Sequence, residues 1–115
     1  MTETRRPDIV SKAVSEQQED NARTRVTLWR FTPGAATGFH RHEFDYVVVP
    51  LTDGRLKIVD KEGRESFSEL AAGVSYFREA GVEHDVINAS PGDFAFVEIE
   101  FKERVVKALP DDEHP

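Results

Sequence analysis

The stretch GAATGFHRHEFDYVVVPLTDG, residues 34–54, decides the fold. Its centre, residues 40–49, is rich in β-branched and aromatic side chains, a pattern typical of a strand. Alternate residues of a strand face the same side, so His40 and His42 are predicted to lie side by side, close enough to share one metal ion. Alone, the pair also fits buried histidines that are satisfied by hydrogen bonds.

Further strand-like runs extend from this stretch in both directions. In residues 23–31, Val26 and Leu28 alternate with Thr27 and Trp29, a period of two. Turn signals containing glycine or proline separate the runs. The runs predicted as strands are 23–31, 40–49, 55–60, 66–70, 74–78, 84–88 and 94–102. Many short strands with such punctuation favour an all-β sandwich or barrel.

The chain of 115 residues is the size of a single domain. Polar residues 1–22 are predicted as an N-terminal arm, with a short helical turn at 8–14, that orders against the barrel or a partner subunit. Residues 23–102 form the predicted barrel domain. Residues 103–115 are predicted as a frayed tail in which His114 has no role.

The composition excludes several classes of function. With 22 acidic and 15 basic residues the formal net charge is −7, which repels nucleic acid and anionic membrane surfaces. No stretch approaches the roughly 20 apolar residues of a membrane span, and the start lacks a signal-peptide core, so a cytoplasmic protein is expected. Cysteine is absent, so a transition-metal site must use imidazole and oxygen ligands.

Two sets of residues at fixed spacing carry a resemblance to a known family: Gly34, His40, His42 and Gly54, and then Gly73, Gly81, His84 and Asn88. In order and spacing they resemble the two motifs of the cupin superfamily, and they cover nearly half of the chain. The resemblance implies a double-stranded β-helix, or jelly-roll, barrel. It also implies that His84, and Asn88 with it, lie on a strand next to His40 and His42, so that His84 is the third metal ligand.

The chain departs from the cupin motifs at two points. Glu79 stands where the second motif has proline, which alters the turn before the third histidine. The glutamate ligand of the family falls at Val47 when counted along the motif and at Tyr46 when counted by alternation from His42, and neither is a carboxylate. Asp45 and Glu43 would compensate only if a bulge rotated the strand, because regular alternation turns both away from the histidines.

The resemblance therefore implies a metal site of three imidazoles, suited to iron, zinc, nickel, copper or manganese. Three protein ligands leave positions open for water or substrate, as catalytic ions require. Some cupin dioxygenases of small thiols and diketones use three histidines on iron, which makes oxygen chemistry one option. Tyr46, on the histidine face, is predicted either to hydrogen-bond a substrate there or to pack in the core.

The run HRHEFDYVVVPLTDGRL, residues 40–56, is also similar to small single-domain cupins assigned to β-alanine degradation. This likeness implies a small carboxylate or amine metabolite as ligand. An arginine that faces the cavity would bind a carboxylate through two hydrogen bonds, and Arg30 and Arg78 are the candidates.

Three functional hypotheses follow. The leading one is a metal-dependent enzyme, dioxygenase-like or related, that acts on a small polar metabolite. The alternatives are a non-catalytic cupin that binds metal or metabolite, and a barrel whose histidines satisfy one another. Val47 and Val49 alternate out of phase with the histidines, and the run 94–99 is apolar at Phe94, Ala95, Phe96, Val97 and Ile99. These apolar residues exceed what one face of each strand requires. They predict a homodimer through the outer sheet and the N-terminal arm.

Overall fold

The computed structural model of the chain describes residues 11–102. The strands in this part are β1 (Val14–Asp20), β2 (Thr24–Phe31), β3 (His40–Arg41), β4 (Asp45–Pro50), β5 (Gly54–Asp60), β6 (Glu65–Leu70), β7 (Tyr76–Arg78), β8 (Glu83–Asn88) and β9 (Phe94–Phe101). Each predicted run contains a strand, because the glycine and proline turns end every run before it reaches helical length.

The strands form two sheets in which every strand pairing is antiparallel. One sheet has the order β1-β2-β9-β4-β7 and the other the order β3-β8-β5-β6. This arrangement confirms the predicted all-β jelly-roll barrel. Residues 11–102 contain no helix, and therefore none that is long and apolar enough to cross a membrane.

The N-terminal segment joins the barrel earlier than its polar sequence predicts. β1 pairs with β2 from Val14 opposite Arg30 to Asp20 opposite Arg25, so this part of the arm orders against the barrel. The predicted helical turn at 8–14 lies partly outside the described residues. Its described part is not helical, because Ala13 N–H donates to the carbonyl of Ala36 at 2.9 Å instead. The predicted tail, residues 103–115, lies outside the described residues.

The two sheets enclose one core. Its buried members are Phe31, Ala35, Tyr46, Val48, Leu56, Val86, Phe94 and Phe96. Alternation along the strands produces this core: in β9 the buried residues Phe94 and Phe96 alternate with the half-buried Ala95 and Val97. Asn88 is buried with them, and its amide donates to the carbonyls of Phe31 and Gly92. Asn88 therefore stabilises the core and a loop.

The predicted strand 40–49 is interrupted at His42–Phe44. Before the break, β3 belongs to the four-stranded sheet, and after it, β4 belongs to the five-stranded sheet. The chain crosses between sheets here, which alternation along a single run does not reveal. His42 is nevertheless held, because its N–H donates to the carbonyl of Val82 at 2.9 Å and its carbonyl accepts from Gly81 N–H at 2.8 Å. The positive φ of 102° at Gly81 favours glycine in this bridge.

The motif glycine Gly54 is required by close packing, which yields the first testable prediction. A Cβ at this position would lie 2.7 Å from Cε1 of Phe94 and 2.9 Å from Oγ of Ser90, and Phe94 is a core residue. Gly54→Ala should therefore lower the free energy of unfolding by about 1–3 kcal/mol. Urea unfolding followed by circular dichroism measures this loss.

Gly92→Ala is the matched control, because a Cβ there has no atom within 4 Å and the backbone φ is not positive. Its stability should stay within about 0.5 kcal/mol of wild type. Equal stability of the Gly54→Ala and Gly92→Ala variants would contradict the packing argument.

Candidate metal centre

Three imidazoles converge in the cavity between the sheets. The pairing of β3 with β8 places His40 directly opposite His84, and His42 follows β3 at the point where the chain crosses between sheets. Their ligand atoms all lie within 4.8 Å of one another. The structure thus brings together the three residues that the two sequence motifs single out.

The three rings present the same nitrogen to the centre. His42 Nε2 lies 3.0 Å from His40 Nε2 and 3.2 Å from His84 Nε2. Two nitrogens bound at a right angle to one ion, each about 2.1 Å from it, would be separated by about 3.0 Å. The three rings stand nearly edge to face, with interplanar angles of 70° to 87°. The separations therefore fit adjacent ligands of a single ion.

The other nitrogens of two rings face oxygen acceptors. His40 Nδ1 lies 2.8 Å from the carbonyl oxygen of Gly38, which accepts only if Nδ1 carries the proton. His42 Nδ1 lies 3.5 Å from Oε2 of Glu98. With both protons on Nδ1, the two Nε2 lone pairs point at the centre of the cluster, which is the tautomer that a metal ligand requires.

Glu98 is the functional residue that sequence reasoning missed. The residue is only 8% exposed, and its Oε1 accepts a hydrogen bond from Trp29 Nε1 at 3.2 Å. Burial, reinforced by Glu100, raises the pKa of Glu98 to about 7. The sequence of β9 contains a signal that Glu98 is buried, because Glu98 is in phase with the core residues Phe94 and Phe96. A carboxylate on the buried face of an apolar strand needs a partner, and His42 and Trp29 supply it.

Burial also keeps His42 and His84 neutral. Desolvation, with the neighbouring His40 and His84, lowers the pKa of His42 to about 3. Desolvation and His40 lower the pKa of His84 to about 4. Both rings therefore stay unprotonated and able to bind a cation well below the ordinary histidine range.

Tyr46 lies against the cluster. Its ring stacks on His42 with centroids 3.9 Å apart and planes 19° apart, and the residue belongs to the buried core. Burial, reinforced by Glu98, raises the pKa of Tyr46 above its ordinary range. Tyr46 therefore packs in the core, as one of the two interpretations predicts, and it also lines the cavity. Its hydrogen bond to a substrate stays a prediction.

The two candidate replacement carboxylates are outside the cluster. Asp45 Oδ1 accepts a hydrogen bond from Ala80 N–H at 2.8 Å, so it fixes a loop. Glu43 is exposed at the cavity lining and is absent from the group of converging ligand atoms. Within residues 11–102 that group is His40, His42 and His84 alone.

The cavity has a volume of about 720 Å³. Its wall is apolar near the core and polar elsewhere, and of the two arginine candidates it includes Arg78 only. Arg30 was a wrong candidate: it forms an ion pair with Glu16 at 3.1 Å in β1 and is exposed. Trp29 and Phe31 face inward, and Arg30 lies between them in the strand. Its side chain therefore points away from the cavity, on the other face of the sheet.

Two facing antiparallel sheets with three imidazoles converging between them define a cupin. The chain belongs to the Cupin_2 family, because residues 27–100 match the profile of that family, described as a cupin domain. A beta-alanine degradation protein, BauB of Pseudomonas aeruginosa, is 58% identical over 91 residues, which cover 79% of this chain and 95% of that protein.

Solved structures agree with this assignment. A cupin domain from Bordetella pertussis Tohama I superposes with a TM-score of 0.79 at 53% identity, covering 83% of this chain and 98% of that one. The polyketide cyclase RemF from Streptomyces resistomycificus superposes with a TM-score of 0.62 at 20% identity, covering 90% and 81%. At 20% identity this likeness is evidence of a shared fold and of nothing more.

Acid should destabilise the metal-free protein through its buried histidines. The pKa of His42 is about 3 in the folded chain and about 6.5 when unfolded, so the unfolded state binds the extra proton below pH 6.5. The stabilisation is present above that pH and is lost as the pH falls. Glu98 has the opposite effect on the pH dependence of stability. Its pKa of about 7 in the folded chain exceeds the unfolded value of 4.5, so its protonation favours the folded state as the pH falls. Comparing the loss of unfolding free energy in wild type with that in a His42 variant therefore isolates the contribution of His42.

Between pH 6 and pH 5, wild type should therefore lose about 1.2 kcal/mol more unfolding free energy than His42→Gln does. Urea titrations at the two pH values, in the presence of a chelator, measure both losses. Parallel losses in the two proteins would show that His42 is not held neutral by the fold.

Proposed function

We propose that this protein is a metal-dependent cupin that holds a divalent transition ion through His40, His42 and His84 and acts on a small polar metabolite. One observation carries the proposal: three Nε2 atoms converge, two of them 3.0 Å and 3.2 Å from the third, while Nδ1 of His40 and Nδ1 of His42 face oxygen acceptors. Lone pairs turned towards one another repel unless a cation lies among them.

The donor set suits iron, zinc, nickel, copper or manganese, any of which supplies Lewis acidity, and the redox-active ones also permit oxygen chemistry. The surrounding residues have separate tasks. Glu98, whose Oε2 lies 3.5 Å from Nδ1 of His42, favours the ring tautomer that carries its proton on that nitrogen. Tyr46 stays protonated and offers its hydroxyl to a ligand as a hydrogen-bond donor. Trp29, Val48 and Phe96 line the cavity and restrict water.

The chemical context supports catabolism of a small amino-acid-like metabolite. BauB, to which 79% of this chain aligns, is described as a beta-alanine degradation protein. We infer a role in the same kind of metabolism, with dioxygenase-like or related chemistry at the three-histidine site. The cytoplasmic location expected from the sequence stays a prediction.

The second candidate function is a non-catalytic cupin that binds the metal or the metabolite. It is favoured by the lack of a carboxylate ligand in the converging group of residues 11–102. Screening the metal-loaded protein for turnover of short amino acids and their oxo-acid derivatives separates the two functions. A redox metal with turnover supports the enzyme, and tight ligand binding without turnover supports the binding protein.

Metal content tests the central proposal. Protein purified without an affinity tag should contain a transition metal, and His40→Ala, His42→Ala and His84→Ala should each weaken binding more than about a hundredfold. Asp45→Ala should have little effect, because Asp45 fixes a loop instead. Elemental analysis by mass spectrometry gives the stoichiometry. Loss of metal in Asp45→Ala, or retention of metal in all three histidine variants, would contradict the assignment.

Glu98→Gln extends this experiment to the residue behind His42. The amide keeps an oxygen acceptor but removes the charge, so the affinity for metal should fall by roughly tenfold. Glu100→Gln is the matched control on the same strand, since Glu100 lines the cavity and pairs with Arg25 at 3.6 Å. Competition with a chromogenic chelator measures both affinities, and equal values would remove Glu98 from the site.

A homodimer through the outer face of the five-stranded sheet is also proposed. Two apolar rows cross this face at register positions on neighbouring strands: Val26, Ile99, Val47 and Phe77, and then Leu28, Val97 and Val49. These residues alternate with the cavity-facing ones, so they lie on the opposite side of the sheet. Leu28 is already buried within one chain, but the other members are partly exposed, and Phe77 is 51% exposed. A second copy that covers both rows would remove this remaining apolar surface from water.

Sedimentation at micromolar concentration should show a dimer of wild type. Val97→Lys places a charge in the middle of the apolar rows and should yield monomer. Phe67→Lys is the control, because Phe67 is equally apolar and 50% exposed but belongs to the four-stranded sheet. Monomeric wild type, or dissociation caused by Phe67→Lys alone, would contradict this interface.

A further inference from the structure

The arginines of the cavity differ in their partners. Arg25 Nη1 lies 3.6 Å from a Glu100 oxygen, and Arg41 Nε lies 3.5 Å from a Glu83 oxygen. Arg78 lines the same cavity and forms no ion pair with any carboxylate of residues 11–102. Arg78 is therefore the cavity arginine whose charge is left for a ligand.

Arg78 is an exposed residue at the cavity wall, and two contacts limit the orientation of its guanidinium. It lies over the ring of Tyr76, 4.6 Å from the centroid, and its Nη1 donates to the carbonyl of Phe77 at 3.0 Å. A guanidinium has five N–H donors, so this one hydrogen bond leaves most of them unused. Stacking on an aromatic ring fixes the plane of the donors and lowers the entropy lost when they bind a planar acceptor.

Arg78 is connected to the histidine cluster by direct neighbours. In the sheet, Arg78 of β7 is paired with Tyr46 of β4, and both line the cavity. Tyr46 in turn stacks on His42 with ring centroids 3.9 Å apart. Directly paired residues of an antiparallel sheet have Cβ atoms about 5 Å apart. Arg78 and the cluster therefore share Tyr46 as a neighbour and line one cavity, so a single ligand in that cavity can face both.

We propose that Arg78 binds the carboxylate of a short-chain organic acid whose other end reaches the His40, His42 and His84 cluster. This inference rests on the proposed function, since it names the ligand class of the same site. The unused N–H groups of Arg78 form a fork that matches the two oxygens of a carboxylate. The ligand class is then an acid with a polar group at its far end, and neutral diols and amines of equal length are excluded.

The probes are 3-hydroxypropanoate, its neutral equivalent propane-1,3-diol and the cation of 3-aminopropan-1-ol. Isothermal titration of metal-loaded wild type should give binding of 3-hydroxypropanoate only. Arg78→Gln should weaken it by about tenfold or more, because a charged hydrogen-bonded partner is lost. Arg78→Lys keeps the charge but not the fork, and should be intermediate.

Arg30→Gln is the matched control. Arg30 is the other arginine that the sequence offered as a carboxylate ligand, and it is paired with Glu16 on the opposite face of the sheet. Its removal should leave the affinity for 3-hydroxypropanoate unchanged. Unchanged affinity in Arg78→Gln would overturn the inference, and so would equal binding of the diol or no binding of the acid.

Two further measurements separate this inference from the proposed metal site. If Arg78→Gln retains the wild-type metal content but binds the acid as wild type does, the inference fails and the metal site stands. If the protein binds no metal, the acid is titrated into the metal-free protein. Binding that depends on Arg78 there supports the anion site although the proposed metal function has failed.

Discussion

The antiparallel pairing of β3 with β8 is the constraint on which the candidate site depends. It is short, yet it places His40 directly opposite His84. Backbone hydrogen bonds from His42 to Val82 and from Gly81 to His42 continue the ladder beyond the end of β3. His42 is thereby fixed where the chain leaves one sheet for the other. Backbone hydrogen bonds of β3 and of the segment after it therefore position the cluster. The three imidazoles are brought together by the backbone and not by contacts between their side chains.

Local periodicity predicts the parts of the structure that lie within one run of residues. Each predicted run contains a strand, and the spacing of the two motifs led to His40, His42 and His84. The break at His42–Phe44 was missed because it is caused by a change of sheet, which depends on the neighbours of β3 and β4. The polar β1 was missed because a strand with every residue exposed has no apolar periodicity to reveal it.

The candidate site was incomplete in the sequence for a related reason. In β2 both faces carry apolar residues, with Leu28 on one and Trp29 on the other, so alternation alone does not tell which face lines the cavity. The sequence therefore gives no reason to prefer Arg30 or Arg78 as the arginine that faces the cavity. The ion pair of Arg30 with Glu16 in the structure distinguishes the two. Glu98 carried a local signal, but its significance lies in His42 and Trp29, both far away along the chain.

The position of Glu98 changes how the departure from the family motif is understood. A carboxylate that binds an ion directly cancels one of its charges, whereas Glu98 lies behind His42 and contacts Nδ1 on the far side of the ring from Nε2. Three neutral imidazoles would therefore leave a divalent ion with its full charge. Such an ion attracts anionic ligands more strongly than one already bound by glutamate. Arg78, which forms no ion pair with a carboxylate of residues 11–102, lines the same cavity and favours the same sign of ligand. Under the proposed function, the missing glutamate and this arginine would both favour an acid as ligand.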